Sequence, residues 1–329
     1  MGRIFRPNFE FEHQLAAGNS QWQLSRKLAQ VNARWAQRMI SLMSPGDFLW
    51  LPEVDLLDGE SRERLNSECV QRRVTLLEKI DDLDSRSERI ELIPWGWSRA
   101  MAQLASTHGF TYSAPPIETV EWINARGTSF HVEEKWEIAP TGCRVIQSLS
   151  ELLEIVQSQN ESVSWLVKAE FSMSSRERLL GRGRQLTVND QNWTEHRIRD
   201  GQLLYFEPWL DRIAEMSIHF QIAESRSVKT LGCTHLHTDA QGRYLGNVAI
   251  AKSEEADFLR QWQASYENMC AFAEEAASRG YFGPLSIDAM RYRTSGGKIL
   301  QRPLQDINGR FTMGRCELER ASSAGELSE

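Results

Sequence analysis

Near the C-terminus, Asp288, Asp306 and Asn308 combine residue type and spacing in a way that points to chemistry. They lie in the stretch 280–314, GYFGPLSIDAMRYRTSGGKILQRPLQDINGRFTMG, which reads as two strands joined at Ser295-Gly296-Gly297. Asp288 and Asp306 are each nine residues from Gly297, so a regular hairpin brings them together across the ladder. Asp306 and Asn308 are two apart and share one strand face, because side chains alternate along a strand. Two carboxylates and an amide oxygen on one surface suit a hard divalent cation. Arg310 continues that face and can reach an anion held by the cation. The combination suggests a site for magnesium and a nucleotide.

Five other groups of residues invite a chemical reading. Lys168 ends the apolar run Trp165-Leu166-Val167, where a half-buried ammonium needs a counter-charge such as a phosphate. The plainer alternative is a lysine that snorkels to water at a sheet edge. The segment 172–184 carries Ser174, Ser175 and four arginines, Arg176, Arg178, Arg182 and Arg184, the donors a polyphosphate requires. A solvated basic loop has the same composition. In Glu207-Pro208-Trp209-Leu210, Pro208 holds the chain extended, so backbone groups can read an adenine edge and Glu215 can take ribose hydroxyls. An ordinary inter-strand linker is the competing reading. Cys233-x-His235-x-His237 shares a strand face, as a soft-metal site would, but no fourth ligand is evident. Trp95-Gly96-Trp97 follows a strand end, where it walls a ligand pocket or packs in a core.

These residues need elements to position them. Leu24, Leu28, Val31, Trp35, Met39 and Leu42 recur at helical spacing after a Ser20 cap, and Pro45-Gly46 stops the pattern. A strand over 47–51, a helix over 62–80, a strand over 89–93 and a helix reaching His108-Gly109 follow. That alternation predicts a small parallel α/β domain ending near Ala114-Pro115-Pro116. Helices over 118–123 and 149–158 then flank a strand over 164–171. Strands over 203–206, 216–223 and 228–237 precede a long helix striped by Phe258, Trp262, Tyr266, Met269, Ala273 and Ala276, which Gly280 stops. The tail 319–329 is small and polar and is expected to be disordered.

Composition narrows the function. With 329 residues, two or three subdomains are expected. A net charge of −7 argues against a nucleic-acid partner, which demands a basic face. There is no run of about 18 apolar residues and no apolar leader, so neither a membrane span nor a secretory signal is expected. Five scattered cysteines without a CxxC fit a reducing cytoplasm.

In order along the chain, the strand lysine, the basic loop, the Glu-Pro-Trp-Leu segment and Asp288…Asp306-x-Asn308-x-Arg310 after Gly280-Tyr281-Phe282-Gly283 resemble the ATP-grasp superfamily. The resemblance spans roughly 117–314, and the first 115 or so residues are similar to the Rossmann-like domain that precedes such a region. It implies an α/β and α+β architecture. Residues 1–116 would form the pre-ATP-grasp domain, 117–205 the small subdomain with its phosphate-covering loop, and 206–318 the metal-bearing subdomain. It also implies ATP and two Mg²⁺ ions as cofactors. Lys168 would contact the α- and β-phosphates, and Arg126 of Asn124-Ala125-Arg126 would be another phosphate-binding basic residue. Ser174, Ser175 and Arg176 would cover the phosphates. Glu207, Trp209 and Leu210 would hold adenine, and Glu215 the ribose. Asp288, Asp306 and Asn308 would bind metal, with Arg310 at the γ-phosphate. Three positions depart from the family pattern. Arg126 stands where Lys is common, Asp306 where Glu is usual, and Ser174-Ser175-Arg176 where glycines are frequent. The implied activity is a cytoplasmic carboxylate–amine ligase working through an acyl phosphate on small-molecule substrates. A small-molecule kinase of the same type and a catalytically weakened nucleotide-binding module are the alternatives. Many relatives self-associate, which leaves a homo-oligomer open.

Overall fold

Short apolar runs build a first, all-parallel sheet from β1 (Gly2–Arg6), β2 (Phe48–Trp50), β3 (Thr75–Leu77) and β4 (Ile90–Pro94), in the order β3-β2-β1-β4. The structure, a computed structural model, describes residues 2–18, 23–83, 89–171 and 177–326. Around this sheet lie α1 (Phe11–Ala17), α2 (Arg26–Trp35), α3 (Gly59–Arg72) and α4 (Arg99–His108). The central strand β1 was not among the expected elements. Its apolar run is only Ile4-Phe5, between Arg3 and Arg6, yet both residues are buried, as an inner parallel strand requires. Arg6 is buried too, against Glu53 at 2.5 Å.

The helix expected over 62–80 spans Gly59–Arg72 instead. Arg73 turns left-handed at φ 56°, and the apolar residues after it leave as β3 beside β2. A short apolar run reads equally well as strand or helix, and pairing with β2 decides it. Ser20 lies outside the described residues; α2 starts later, where the Ser25 hydroxyl accepts from the Leu28 amide at 3.3 Å. Strand order reverses at β1, so a crevice opens at the C-terminal ends of β1 and β4. There the Asn8 side chain donates to the Gly96 carbonyl at 2.9 Å. Position 96 tolerates no side chain, since a Cβ would stand 2.6 Å from the Phe11 ring.

The second sheet is antiparallel, ordered β5-β8-β6-β7. In chain order this region holds α5 (Ile117–Asn124), α6 (Arg126–Lys135), β5 (Arg144–Ile146), α7 (Leu149–Gln157), β6 (Ser164–Ala169), β7 (Arg178–Arg182), α8 (Val188–Arg199) and β8 (Leu204–Pro208). Part of the expected loop 172–184 is therefore strand β7, paired with β6. Gly181 serves packing rather than flexibility: a Cβ there would lie 2.0 Å from the Trp165 ring.

The third sheet holds β9 (Asp211–Ile222), β10 (Val228–Thr238), β11 (Tyr244–Ala249), β12 (Gly283–Arg293) and β13 (Ile299–Asn308), ordered β11-β10-β9-β12-β13 and antiparallel. Between β11 and β12 run α9 (Lys252–Gln261) and α10 (Gln263–Ser278). Alternation gives the sheet two faces. Met216, Ile218, Phe220, Leu285, Ile287 and Ala289 pack in one core with Phe272, Ala273 and Ala276 of α10. Glu215, Ser217 and Asp288 turn the other way.

The tail expected to be disordered is helical as far as Glu326, in α11 (Met313–Glu326). Cys316 and Leu318 bury themselves. Ion pairs Arg315–Glu319 at 2.7 Å and Arg320–Glu317 at 2.6 Å support the exposed turns. Composition flagged the polar end of this segment and missed its apolar anchors. Among the described residues no helix is long and apolar enough to cross a membrane.

His219 on β9 is buried near the start of α11. A Cβ at Gly314 would come within 2.7 Å of its ring. Its Nε2 lies 3.1 Å from the Thr234 hydroxyl, and its Nδ1 is buried without a partner. Burial, with Arg315 adding to it, lowers its imidazole from 6.5 to about 3. The folded protein thus keeps His219 neutral at pH values where the unfolded chain protonates it. Stability from this residue is full above about pH 6.5 and is lost as pH falls toward 3, by roughly 5 kcal/mol in all. Urea denaturation at pH 7 and pH 4.5 should show this loss, and His219→Gln should reduce it.

Candidate functional site

A cleft of about 590 Å³ runs between the second and third sheets, with Phe9, Glu12 and Trp95 of the first region on its wall. Ten sequence-predicted residues line it: Arg126, Lys168, Glu207, Trp209, Leu210, Glu215, Asp288, Asp306, Asn308 and Arg310. Ser174, Ser175 and Arg176 lie outside the described residues.

Asp288 and Asp306 are direct cross-strand partners on β12 and β13, and Ser286 faces Asn308 one step along. The reason differs from the one the sequence suggested. Pairs near the turn, such as Arg293 with Ile299 and Met290 with Arg302, are centred on Gly296. A regular continuation would set Asp288 against Leu304. The pairing shifts before Asp288, so 303–305 stand opposite Ala289 alone. This bulge contains Pro303, which cannot donate to a ladder. The bulge therefore delivers Asp306 to Asp288.

The carboxylates differ in surroundings. Asp288 accepts from the Ser217 hydroxyl at 2.6 Å and from Asn308 Nδ2 at 3.4 Å. Burial first, and then the charge of Asp306, push its carboxyl up to about 7. Asp306 accepts from Arg126 at 2.8 Å and is more open to solvent. Two facing carboxylates beside an amide oxygen form a hard-oxygen donor set suited to Mg²⁺, and a bound cation would offset the repulsion that opposes ionisation of Asp288. The Ser286 hydroxyl in the same wall is buried without a partner. Among the described residues no group of three or more His, Cys, Asp or Glu is placed to hold a metal, so Cys233, His235 and His237 form no such site. Cys233 sits against Glu255 instead, and the His235 ring packs edge-on against Phe258 at 4.9 Å.

Behind β13 lies a buried ionic network. Arg302 of β13 donates to Glu133 of α6 at 2.8 Å and to Glu207 of β8 at 2.9 Å. Lys168 of β6 donates to Glu207 at 2.9 Å and 3.0 Å. Burial opposes ionisation of Glu207, but Arg302 and Lys168 overcome it and hold its carboxyl well below the usual carboxylate range. Burial lowers the Lys168 ammonium below the usual lysine value, and Glu207 offsets part of that. The Glu207 carboxylate is thus committed to two cations. The Trp209 amide is committed to the Ser164 carbonyl at 2.9 Å.

Trp209 lies under the Arg212 guanidinium at 4.8 Å from the ring centroid. Glu215 accepts from Gln305 at 2.7 Å and from the Thr238 hydroxyl. Arg310 pairs with Glu12 at 2.5 Å, tying the end of the hairpin to the first region. Trp95 is buried and lines the cleft as well, so the two readings of Trp95-Gly96-Trp97 are joined in one residue.

Sequence reasoning missed Arg302, Glu133, Glu12 and Ser217. Ser217 could have been found, because it sits two residues from Glu215 on the same strand. Glu12 and Glu133 meet their partners only through tertiary contacts 298 and 169 residues apart in sequence.

No family model and no curated protein matches the sequence. The fold does match solved structures. One is the biotin carboxylase domain of Hydrogenobacter thermophilus 2-oxoglutarate carboxylase, a dimer in complex with MgADP, ADP and bicarbonate. It matches with a TM-score of 0.55 at 12% identity, over 97% of this chain and 69% of that one. N5-carboxyaminoimidazole ribonucleotide synthetase from Thermus thermophilus matches with a TM-score of 0.52 at 12% identity, over 95% and 72%. Phosphoribosylamine–glycine ligase from Thermotoga maritima matches with a TM-score of 0.50 at 11% identity, over 96% and 71%. At these identities the likeness is one of fold.

Proposed function

We propose, from the ATP-grasp fold that this chain adopts, that its cleft binds a magnesium nucleotide and that the protein is an ADP-forming ligase joining a carboxylate to an amine. The observation that carries this reading is the direct pairing of Asp288 with Asp306 on the cleft wall, with Asn308 beside them. The three sheets support a pre-ATP-grasp region over 1–116, a small subdomain from 117 and a metal-bearing subdomain reaching 318, but β8 belongs wholly to the second sheet, so the expected boundary at 205/206 moves past Pro208.

ATP acts here as co-substrate. The extended chain at Trp209-Leu210 meets the adenine, and Glu215 takes the ribose. Lys168 and Arg126 meet the phosphates. A phosphate arriving at Lys168 supplies the counter-charge that Glu207 now shares between two cations. Asp288, Asp306 and Asn308 would hold two magnesium ions, which neutralise phosphate charge. The substrate carboxylate attacks the γ-phosphorus, the bond to the bridging oxygen breaks and ADP leaves. An amine then attacks the acyl carbon and phosphate leaves. Arg310 stands near the γ-phosphate, where negative charge builds in both steps. Preorganised donors of this kind contribute about 10²–10³ in rate each. The reading places the protein in the cytoplasm with small-molecule partners.

The test is ADP release from MgATP across pooled carboxylates, with and without amines. Amine-dependent release supports a ligase, whereas a phosphorylated product formed without amine identifies a kinase. Lys168→Ala is expected to weaken ATP binding about tenfold or more by calorimetry. An unchanged affinity would remove Lys168 from the phosphate site.

A further inference from the structure

A second cavity, of about 280 Å³, opens at the crevice where the parallel sheet reverses strand order. Its walls come from the end of β4, the segment before α5, the β9–β10 turn and the start of β12. It shares Trp95 and Arg310 with the main cleft, so it adjoins the end of the cleft assigned above to the γ-phosphate. The wall is mostly apolar and carries five aromatic residues: Trp97, Phe282 and Phe311 are each only half-buried, and Trp95 and Tyr281 back them. Arg310 and Glu224 are the charged residues among the described lining residues. Glu224 is exposed and accepts from the Ser113 hydroxyl, which joins the two sides of the mouth.

We propose that this cavity is the acceptor subsite and takes an aromatic carboxylic acid, with its ring among Trp97, Phe282 and Phe311 and its carboxylate toward Arg310. The proposal rests on the ligase reading and adds the substrate class to it. Three observations carry it. The volume suits a one- or two-ring group, since an apolar cavity of about 150 Å³ accommodates benzene. Half-buried aromatic faces gain by covering, and the ring supplies the cover. A phosphorylated acceptor needs more positive charge than a single arginine already paired with Glu12. With the ring in this cavity, the carboxylate oxygen reaches the shared wall at Trp95 and Arg310, where it meets the γ-phosphorus. The oxygen–phosphorus bond forms as the bond to ADP breaks, and the amine then displaces phosphate from the acyl carbon.

The experiment is calorimetry on the full chain with benzoate, phenylacetate and indole-3-acetate against acetate and succinate, paired with ADP-release assays on the same acids. The aromatic acids are expected to bind at least tenfold more tightly than acetate or succinate. Phe282→Ala, which removes a wall, and Ala223→Trp, which fills the cavity, should each weaken aromatic binding at least tenfold and leave MgATP affinity unchanged. Equal binding of all five acids overturns the proposal, as does aromatic binding that survives both substitutions. Aromatic binding that both substitutions weaken, without ADP release in any mixture, upholds the subsite and refutes the ligase reading. Amine-dependent ADP release driven by the short acids, with no aromatic binding, refutes the subsite and upholds the ligase.

Discussion

Asp306→Asn is expected to lower magnesium-dependent ADP release by at least about 10²–10³, the loss typical of one electrostatic stabiliser of phosphoryl-type charge. The substitution keeps shape and removes one of two facing charges. Asp288→Asn should be equally damaging to turnover, yet it should not destabilise the protein at pH 8. Asp288 is raised to about 7 by burial and by Asp306, so its ionised form is a cost to the folded state. Any stability it contributes is present below the unfolded carboxyl value near 4 and is lost as pH rises through 7. At pH 8 the amide avoids that cost, and denaturant midpoints should hold or rise. Lost turnover together with retained stability separates a ligand from a structural carboxylate. Full turnover in both variants would remove these residues from the site.

Arg302→Met is expected to cost about 3–5 kcal/mol, because it strands Glu133 as a buried charge and leaves Glu207 with Lys168 alone. Arg302, Glu133 and Glu207 are each at most 3% exposed, so water cannot take over the role of the guanidinium. Glu207 keeps Lys168 in the variant, whereas Glu133 loses its ion pair with Arg302. Adding Glu133→Gln should therefore recover much of the loss in urea denaturation. If the double variant is as unstable as the single one, the cost lies in packing rather than in uncompensated charge. The same network ties β13 to the 207–210 connection, so Arg302→Met should also weaken nucleotide binding.

The functional half of the molecule was the more legible in sequence. Asp288, Asp306 and Asn308 could be paired from spacing, because strand alternation is strict and glycines mark the turn. Even so, the pairing came from the wrong centre. A regular ladder about Gly296 sets Asp288 against Leu304, and the bulge at Pro303 supplies the missing offset. The resemblance carried by the sequence implies that Lys168 is a phosphate ligand and Glu207 an adenine ligand. In the fold they are first each other's partners, an outcome that depends on β6 lying beside β8. The parallel sheet was less legible. β1 offers only Ile4-Phe5 as an apolar signal, and β3 continues an apolar run that suits a helix as well. Only the neighbouring strands decide such segments. α11 shows the same limit at the other end, since Cys316 and Leu318 have no reason to order the tail until the first region's core and the third sheet, respectively, stand beside them.

Calorimetric titration of the full chain with ATP, in magnesium and again in EDTA, tests the central claim most directly. Binding that requires magnesium, and that disappears in the Asp288→Asn, Asp306→Asn double variant while the fold persists, is the predicted result. No binding at millimolar ATP, or equal binding with and without magnesium in both proteins, would contradict it.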